Sequence, residues 1–543
     1  MMTDAQPGRE SVGLGAGNGC VGETAATRRY VCPARDQLFL LPVCMRDWVE
    51  EGHLAWFVLD LVAELDTGTL HRRPGSTPGR PPYEPEMMLA LLLYAYCHGV
   101  RSSRRIEATC RTDAAFRVIC GGLVPDHATI ARFVVDHEQA LEGLFVSGLR
   151  LCAAAGLVDL SVVALDGTKV AADAALDRNR DREWIRGEVA KLMAVTAQEE
   201  QSQAVATGAL PGLEAAGEIS SPRGRSARLQ AALKVIETED AAAAAEATRQ
   251  ATAAAAEAEY GRQLTGRKPK APLAALARAQ VDHAVALERV NTMQAARAAK
   301  LAAAARGEKI KGPLPYEIER AKDTLERADV ALAAAREAVK TNAAPVARQA
   351  NITDPDSRIM KTQQGWVQGY NAQAVVNRHQ IVLACDVSQD AGDVQLYQPM
   401  ITTLTQTLSS AGIQDEVELA LADAGYWSQA NAISPGPDRL IATLKDHKQR
   451  RAARDLGQTS GPPPPDATPI EEMEHLLRTP QGGAAYAQRS CLIEPIFGDR
   501  KHNRGLRSFR RRGLAAVRSE WAFLHLAANM LKLYQHRAAA TTA

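Results

Sequence analysis

The spacing of apolar residues predicts helices in the first part of the chain. Apolar side chains recur at steps of three and four residues over 54–62, and again over 88–95. This period is that of one face of an α-helix. Asp126 precedes a further periodic stretch and has the side chain of a helix N-cap. We therefore predict an all-α domain over 28–159, preceded by a Gly-rich disordered tail over 1–27.

From residue 160 onward the pattern changes to short apolar runs, which are typical of buried β-strands. The first run covers 160–165 and ends at Asp166. Strands that alternate with helical patterns indicate a mixed sheet covered by helices. We predict a mixed α/β (α+β) fold class, with one sheet domain split between 160–180 and 350–536. The later strand-like runs lie at 369–376, 380–387, 417–421 and 440–444.

Ala-rich, charged stretches interrupt this predicted sheet domain. Gly- and Pro-containing breakers separate them, and helix is the structure open to each stretch. A helix of about 38 residues rises about 57 Å. We predict that 181–349 forms a projecting helical hairpin or coiled coil with a mostly Ala seam, and that the Pro- and Gly-rich 449–488 is a loop insertion. The three stretches lie at 223–261, 273–307 and 315–340.

Composition excludes a global electrostatic attraction to nucleic acid. The 543 residues include 64 Lys and Arg against 63 Asp and Glu, a net charge of +1. Any nucleic-acid partner must therefore be held by local patches. The nine cysteines show no metal-ligand spacing, so we predict reduced thiols. No apolar window is long enough to span a bilayer and no secretory signal is recognisable, so we predict a cytoplasmic protein.

Three acidic residues stand where an apolar run ends: Asp166, Asp423 and Glu494. Carboxylates gathered at one edge of a sheet repel one another unless a cation lies between them, and oxygen ligands suit Mg²⁺ or Mn²⁺. Two such ions support in-line displacement at a phosphoryl group. Any one of these acids alone is more readily a turn residue or N-cap. The hypothesis of a metal site therefore rests on the three together.

Other acids compete for the same role. Asp386 also ends a strand-like run, and Asp390 and Asp393 follow within one loop. Asp386 is therefore an alternative metal ligand. Asp354 and Asp356 flank a proline, which predicts turn residues.

The three acids and their flanking residues resemble those of a known family. Asp166 in DGT, Asp423 in ADAGYW, and Glu494 with a lysine seven residues later resemble the Asp-Asp-Glu triad of bacterial insertion-sequence transposases, whose catalytic core is ribonuclease H-like. The resemblance extends over about 28–534 and includes the stretches PDHATIARF and GYNAQ. It implies cleavage and joining of double-stranded DNA at transposon ends, two Mg²⁺ or Mn²⁺ ions bound by the triad, and a homodimer in the synaptic complex.

The region around Glu494 departs from the family in one respect. Tyr486 and Arg489 lie eight and five residues before Glu494, whereas one branch of the family has seven and four, so their role stays open. Lys501 lies seven residues after Glu494, near two helical turns, and could face the same DNA phosphate. A solvated lysine is the alternative. Pro495 suggests that a helix begins at this point.

A basic segment follows Glu494. Residues 500–518 contain seven Arg and one Lys and no acid. Arg500, Arg504, Arg507 and Arg511 recur at steps of four, three and four, which predicts a basic helical face that binds DNA phosphates. A charge run that only improves solubility is the alternative. The apolar stripe that begins downstream at 517 predicts the core face of the final helix.

Further candidates for DNA contact lie outside this segment. By analogy with related transposases, Tyr426 and Trp427 could stack on an unpaired base, or they could be core residues. His502 and His525 are predicted to be surface and core residues. Arginines in the N-terminal helices suggest a helix-turn-helix reader of the transposon ends, with ordinary helix packing as the alternative. These arginines are Arg101, Arg104, Arg105, Arg111 and Arg117.

The leading hypothesis is a DNA transposase. Two alternatives remain at this point. One is a metal-dependent nuclease that cleaves DNA without strand transfer. The other is a catalytically inactive or domesticated DNA-binding protein built around the long helical insertion.

Overall fold

The computed structural model of the chain describes residue 35 and most of the chain beyond residue 43, and the predicted tail over 1–27 lies outside the described residues. These residues divide into two units. The first comprises residues up to Asp177 together with those from Asp356 onward, and the second is Arg178–Pro355. The described ranges are 44–71, 81–203, 222–259, 272–340, 348–362 and 364–542.

α-Helices form the N-terminal part of the first unit, as predicted. The side chain of Asp126 accepts a hydrogen bond from the backbone N–H of Thr129 at 2.9 Å, so the predicted N-cap is confirmed. The helices are α1 (Leu54–Glu64), α2 (Pro85–Cys97), α3 (Ser103–Thr112), α4 (Ala114–Ile119), α5 (His127–Asp136) and α6 (Glu138–Ala154).

A mixed sheet forms the centre of the first unit and confirms the predicted fold class. The strands within the described residues are β1 (Val162–Ala171), β2 (Asn179–Asp181), β3 (Gln349–Asn351), β4 (Arg358–Thr362), β5 (Gly365–Asn377), β6 (Val382–Ser388), β7 (Leu419–Ala422) and β8 (Asp438–Ile441). In this sheet β1 pairs antiparallel with β5 and parallel with β7, and β7 pairs parallel with β8. β4 and β6 pair antiparallel with β5.

The first strand is longer than predicted. It does not end at Asp166 but continues to Ala171, because the segment from Gly167 onward pairs with β5 from Gln373 back to Gly369. Asp166 therefore lies within a strand. The shorter partner on the other side, β7, ends opposite Leu165, so only one edge of β1 is open beyond Asp166.

The second unit contains the Ala-rich stretches, and all three are helical as predicted. Ion pairs join Arg182 to Asp240 and Glu188 to Arg225, so α7 and α8 run antiparallel. β2 and β3 pair antiparallel within the same unit. The helices are α7 (Arg182–Gln203), α8 (Pro222–Glu259), α9 (Pro272–Ala305) and α10 (Pro315–Lys340).

Helices also cover the sheet of the first unit. The longest, α16, is buried over 521–530, which confirms the predicted core face. The indole N–H of Trp521 donates to the carbonyl of Gln373 at 2.9 Å, and the Asn529 side chain bonds both backbone groups of Val382. These bonds fix α16 to β5 and β6. The helices are α11 (Tyr397–Ser410), α12 (Gln429–Ala432), α13 (Asp446–Leu456), α14 (Pro469–Arg478), α15 (Pro480–Gly498) and α16 (Leu514–Thr542).

Two predictions about this region were wrong. The stretch 449–488 is not a loop, since α13, α14 and the start of α15 occupy most of it. A capping box between Thr468 and Glu471 starts α14 after the Pro-rich run. Nor does a helix begin at Pro495, which lies inside α15. Its missing N–H is compensated by the side chain of Gln380, which donates to the carbonyl of Cys491 at 3.2 Å.

Two further expectations concern chemistry and location. The cysteines within the described residues are free, in agreement with the prediction of reduced thiols. As far as the structure describes the chain, none of its helices combines the length and apolar character required to cross a bilayer.

A buried ion pair fixes the N-terminal helices to α16. The Arg101 guanidinium lies 2.8 Å from the Glu520 carboxylate and also donates to the carbonyls of Gly505 and Ser508. The side chains of Arg101 and Glu520 are 3% and 1% exposed. Glu520 also accepts the backbone N–H groups of Arg510 and Arg511, so one carboxylate organises the loop before α16.

Arg101→Ala should destabilise the protein strongly, because it leaves the buried Glu520 carboxylate without its cation. We expect the free energy of unfolding to fall by about 3 kcal/mol or more. Chemical denaturation of the full chain measures this change. Arg105→Ala, on the exposed side of α3, is the matched control and should change stability little. Equal stability of the two variants would contradict the role of the ion pair.

Candidate active site

Asp166 and Asp423 lie next to each other at the centre of the sheet. Leu165 of β1 and Ala422 of β7 are register partners in a parallel pair, and each aspartate is the next residue on its strand. The Asp423 carboxylate accepts the backbone N–H of Gly425 at 2.8 Å, and Asp166 accepts that of Gly167 at 2.7 Å. The structure thus brings together two of the three predicted acids.

The two carboxylates disfavour each other's charge. Burial, followed by the charge of the neighbouring Asp423, raises the pKa of Asp166 from 3.8 to about 6, against the lowering effect of Arg489. The Arg489 guanidinium lies 3.1 Å from Asp166, and its side chain is 6% exposed. Two hard oxygen ligands with an excess of negative charge fit a divalent cation.

Helix α15 approaches Asp166 with two cationic side chains. Arg489 comes from the middle of the helix, and Lys501 comes from the π-helical segment Asp499–Asn503 that follows it. The Lys501 ammonium donates to the hydroxyl of Thr168, which lies two residues after Asp166 on the same face of β1. Burial lowers the pKa of Lys501, while Asp166 raises it. Lys501 is therefore a half-buried residue next to the acidic pair and not a solvated surface lysine.

Glu494 lies on α15 but is not bonded to the acidic pair. It follows Arg489 by five residues, about 140° further round the helix, and its side chain is exposed. Within the described ranges, no hydrogen bond or ion pair engages the Glu494 carboxylate. No cluster of three or more His, Cys, Asp or Glu side chains suited to a metal ion occurs in the part of the chain that the structure describes.

A network of polar side chains behind the acidic pair was missed in the sequence. One carboxylate oxygen of Asp393 accepts bonds from Lys169 at 3.0 Å, Asn371 at 2.7 Å and Gln373 at 3.2 Å. The Gln373 amide carbonyl in turn accepts the hydroxyl of Tyr426. Asn371 and Gln373 alternate within an apolar strand, and this period of two was the signal that could have revealed them.

Glycines leave room for this network. A side-chain carbon at Gly167 would lie 2.0 Å from the Gln373 amide nitrogen. At Gly425 it would lie 2.9 Å from one oxygen of Asp423 and 3.3 Å from one oxygen of Asp393. A side chain at either glycine, in the DGT or the ADAGYW motif, would therefore displace one of these polar side chains from its present position.

The stacking role proposed for Tyr426 was wrong. Its side chain is fully buried and its hydroxyl is bonded to Gln373, so its ring cannot reach a base. Burial raises the pKa of Tyr426, and Asp166 contributes further. Trp427 is half-buried against the core, and base stacking by Trp427 stays a prediction.

The basic face predicted after Glu494 does not form. The arginines do not lie on one continuous helix. They lie on the π-helical segment Asp499–Asn503 and on the irregular loop that follows it, before α16 begins at Leu514. Arg500 is 2% exposed and paired with Asp499. Arg504 is paired with the same Asp499 and donates to the carbonyls of Tyr96 and Cys97.

Arg511 is also an internal residue, because it forms an ion pair with Glu138 of α6. Three of the four arginines predicted to bind phosphates therefore support the fold, and the prediction was wrong for Arg500, Arg504 and Arg511. Arg507 is exposed, so it remains a candidate.

The competing acids have other partners. Asp386 pairs with Arg518 at 2.7 Å, and burial raises its pKa. Asp356 accepts the backbone N–H of Leu514 at 2.9 Å and so caps α16. Asp354 is fully buried. His502 is exposed and His525 is fully buried, as predicted.

The N-terminal arginines also include both buried and exposed side chains. Arg101 is internal and cannot contact DNA. Arg111 pairs with Glu107 at 2.6 Å, and the guanidinium of Arg117 lies over the ring of Trp48. Arg104, Arg105, Arg111 and Arg117 are exposed. A helix-turn-helix contact with DNA through these side chains stays a prediction.

Two parts of the chain match known protein-family models. Residues 43–136 match a transposase domain (DUF772), and residues 466–534 match a transposase DDE domain. The second match includes Glu494, Lys501 and the whole of α15. No curated protein and no solved structure matches the chain.

Asp166→Asn should stabilise the metal-free protein at neutral pH. Because the folded pKa of about 6 exceeds 3.8, the folded state binds more protons than the unfolded state between these values. Wild-type stability therefore falls as pH rises from about 4 to 6, by roughly 3 kcal/mol in total. The free energy of unfolding is measured in EDTA at pH 4 and at pH 7. Between these two values, the difference between the variant and the wild type should rise by this amount in favour of the variant. Asp60→Asn, at an exposed site, should show no such change in stability relative to the wild type. If Asp166→Asn also shows no change, the repulsion between the two carboxylates is refuted.

Asp393→Ala should impair any metal-dependent reaction at this site without unfolding the protein, because Asp393 orients Gln373 and through it the Tyr426 end of the Asp423 loop. We expect a loss of roughly 10- to 100-fold, with a higher magnesium concentration at half-maximal rate. Asp393→Asn keeps an oxygen acceptor and should retain most of the rate. Asp390→Ala is the control, since among the described residues the Asp390 carboxylate is hydrogen-bonded to Ser388 alone. Equal rates for Asp393→Ala and Asp390→Ala would exclude the proposed orientation.

Proposed function

We propose a reaction for this chain from the premise that it belongs to the insertion-sequence DDE transposases, since it matches both a transposase domain and a transposase DDE domain. Its substrate is DNA. We propose that it cleaves DNA at the ends of its element and joins the freed 3′-hydroxyl to target DNA. The observation that carries the proposal is the pair Asp166–Asp423, with Arg489 and Lys501 beside it.

The acids would hold the divalent ions. Asp166 and Asp423 offer adjacent carboxylate oxygens, and the mutual repulsion of their charges favours a cation between them. Glu494 would be the third ligand, supplied by α15. Two Mg²⁺ or Mn²⁺ ions would activate the attacking oxygen and stabilise the leaving oxygen of the phosphodiester.

Two cationic residues, one on α15 and one in the π-helical segment after it, would bind the DNA and orient Asp166. Lys501 reaches β1 two residues beyond Asp166, where its ammonium could bind the phosphate next to the cleaved bond. Arg489 neutralises and orients Asp166, so that the carboxylate keeps one position as DNA arrives. The Glu494 carboxylate is exposed, so ions and DNA have access to it.

The remaining parts of the chain receive supporting roles in this proposal. We assign 28–159 to the recognition of transposon ends, and 160–180 with 350–536 to catalysis. The helical insertion over 181–349 would contact DNA or a second subunit. A homodimer would hold two ends together, in the cytoplasm and on the nucleoid.

Replacement of each acid tests the proposal. Asp166→Asn, Asp423→Asn and Glu494→Gln should each lower the rate of cleavage of DNA that carries the element's ends by at least about 100-fold, because each removes an ionic ligand. Asp386→Asn is the control and should remain close to wild type, since Asp386 pairs with Arg518. Undiminished cleavage by any of the three variants rejects that residue.

The products separate the alternatives. Joining of the cleaved 3′ end to a second DNA identifies a transposase reaction. Cleavage without joining would instead identify a metal-dependent nuclease. DNA binding without any metal-dependent turnover would identify a DNA-binding protein that has lost its activity.

A further inference from the structure

The arginines of the basic segment 500–518 fall into two groups, those that pair with an acid and those that do not pair with any described residue. Two of its arginines, Arg507 and Arg510, are exposed, and their guanidinium groups form no ion pair or hydrogen bond with any described residue. Each of the others is paired with an acid. These paired arginines are Arg500, Arg504, Arg511, Arg512 and Arg518.

The two free arginines lie at the far end of β1 from Asp166. The loop between them pairs with that end, where Ser508 bridges to Ala171 and the Phe509 N–H donates to the Ala171 carbonyl at 2.9 Å. Ala171 is the register partner of Gly369 on β5, which also pairs with β4. Three segments thus meet at one end of the sheet: the arginine loop, β1 and the β4–β5 hairpin.

The hairpin presents an exposed aromatic side chain and an exposed cation. Lys361 and Trp366 are direct antiparallel partners, so their side chains share one face. Trp366 is 60% exposed, and Ile359 on the same face is 44% exposed. The Lys361 side chain is exposed and makes no ion pair with a described residue. A hydrogen bond of 2.9 Å from the Thr362 hydroxyl to the Gly365 carbonyl braces the turn.

The acids near these segments do not neutralise the free cations. Asp173 is paired with Arg512 at 2.9 Å, Asp356 caps α16 at Leu514, and Glu520 is buried against Arg101. Lys361, Arg507 and Arg510 therefore have no partner of opposite charge among the described residues, and Trp366 is exposed at the same end of the sheet. Duplex DNA supplies both a line of phosphates and apolar sugar and base edges.

We propose that Lys361, Trp366, Arg507 and Arg510, here called the hairpin surface, bind the duplex that flanks the cleaved bond. This inference rests on the proposed function, because Asp166 marks the cleaved bond. Five residues separate Asp166 from Ala171, about 17 Å of strand, and three more pairs along β5 lead to Trp366, about 10 Å further. At about 3.4 Å per base pair, the arginines would contact DNA about five base pairs from the cleaved bond, and Trp366 about eight.

Salt dependence of DNA binding tests the hairpin surface. The full chain, in EDTA, is titrated with a duplex of about 40 base pairs of arbitrary sequence between about 50 and 200 mM salt, followed by fluorescence anisotropy. Lys361→Ala, Arg507→Ala and Arg510→Ala should each weaken binding and lower the slope of log affinity against log salt by about 0.9. Trp366→Ala should weaken binding roughly tenfold without changing the slope, because no charge is lost.

Matched controls lie on α13, outside the hairpin surface and the helical insertion. Lys448 is an exposed lysine and Leu456 is a 65% exposed apolar residue, so Lys448→Ala and Leu456→Ala should leave both affinity and slope unchanged. Unchanged slopes for the three cation variants, or equal effects in the controls, would overturn the proposal. A change in sedimentation of Trp366→Ala without a change in DNA affinity would also overturn it, and would assign the face to a second copy of the chain.

The outcome is independent of catalysis, since no metal is present. If the wild type fails to cleave DNA in magnesium but the slopes change as expected, the reaction proposed above fails and the hairpin surface stands. If cleavage is normal and the slopes do not change, only the hairpin surface fails.

Discussion

The closeness of two acidic side chains in a poorly solvated position is the constraint on which the rest of the candidate site depends. Asp166 and Asp423 follow register partners on parallel strands, so the sheet itself determines their separation. Burial and the charge of Asp423 both raise the pKa of Asp166. Such an arrangement costs stability unless cations approach it. Its persistence in a sheet centre is the physical reason to regard it as a functional site.

The surrounding structure limits that cost from two sides. Helix α15 brings the guanidinium of Arg489 to Asp166, and the π-helical segment that follows it brings the ammonium of Lys501 to Thr168. The carboxylate of Asp393, whose charge also raises the pKa of Asp166, accepts bonds from three donors, among them the Lys169 ammonium. The same helix carries Glu494 on its exposed side. Positive charge is thus fixed within the site, while the third acid is left accessible.

Arginine serves two purposes in the segment after Glu494. Its planar guanidinium can satisfy several acceptors at once, which suits buried positions between elements. Arg504 connects Asp499 to two carbonyls at the end of α2, and Arg511 connects the loop to α6. The N-terminal helices and the sheet are therefore bound together by charged residues that a sequence pattern assigns to DNA. The arginines left free are those with no acid opposite them.

The sequence by itself determined the elements and the chemistry of the acids. The N-terminal helices were predicted correctly from the helical spacing of apolar residues, the mixed sheet from short apolar runs, and the long helices of the insertion from their Ala-rich composition. The sequence also identified Asp166 and Asp423, because an acid that directly follows an apolar run must lie at the margin of the core.

Tertiary structure alone decided which side chains are available. Burial of Tyr426, the pairing of Arg500 with Asp499, and the joining of Asp393 to Lys169 depend on contacts between residues far apart in the chain or on the path of a loop. Local periodicity carries no information about such contacts. The position of Pro495 inside a helix also depends on a distant contact. Gln380, which lies outside α15, donates to the Cys491 carbonyl that the proline leaves without its helical partner.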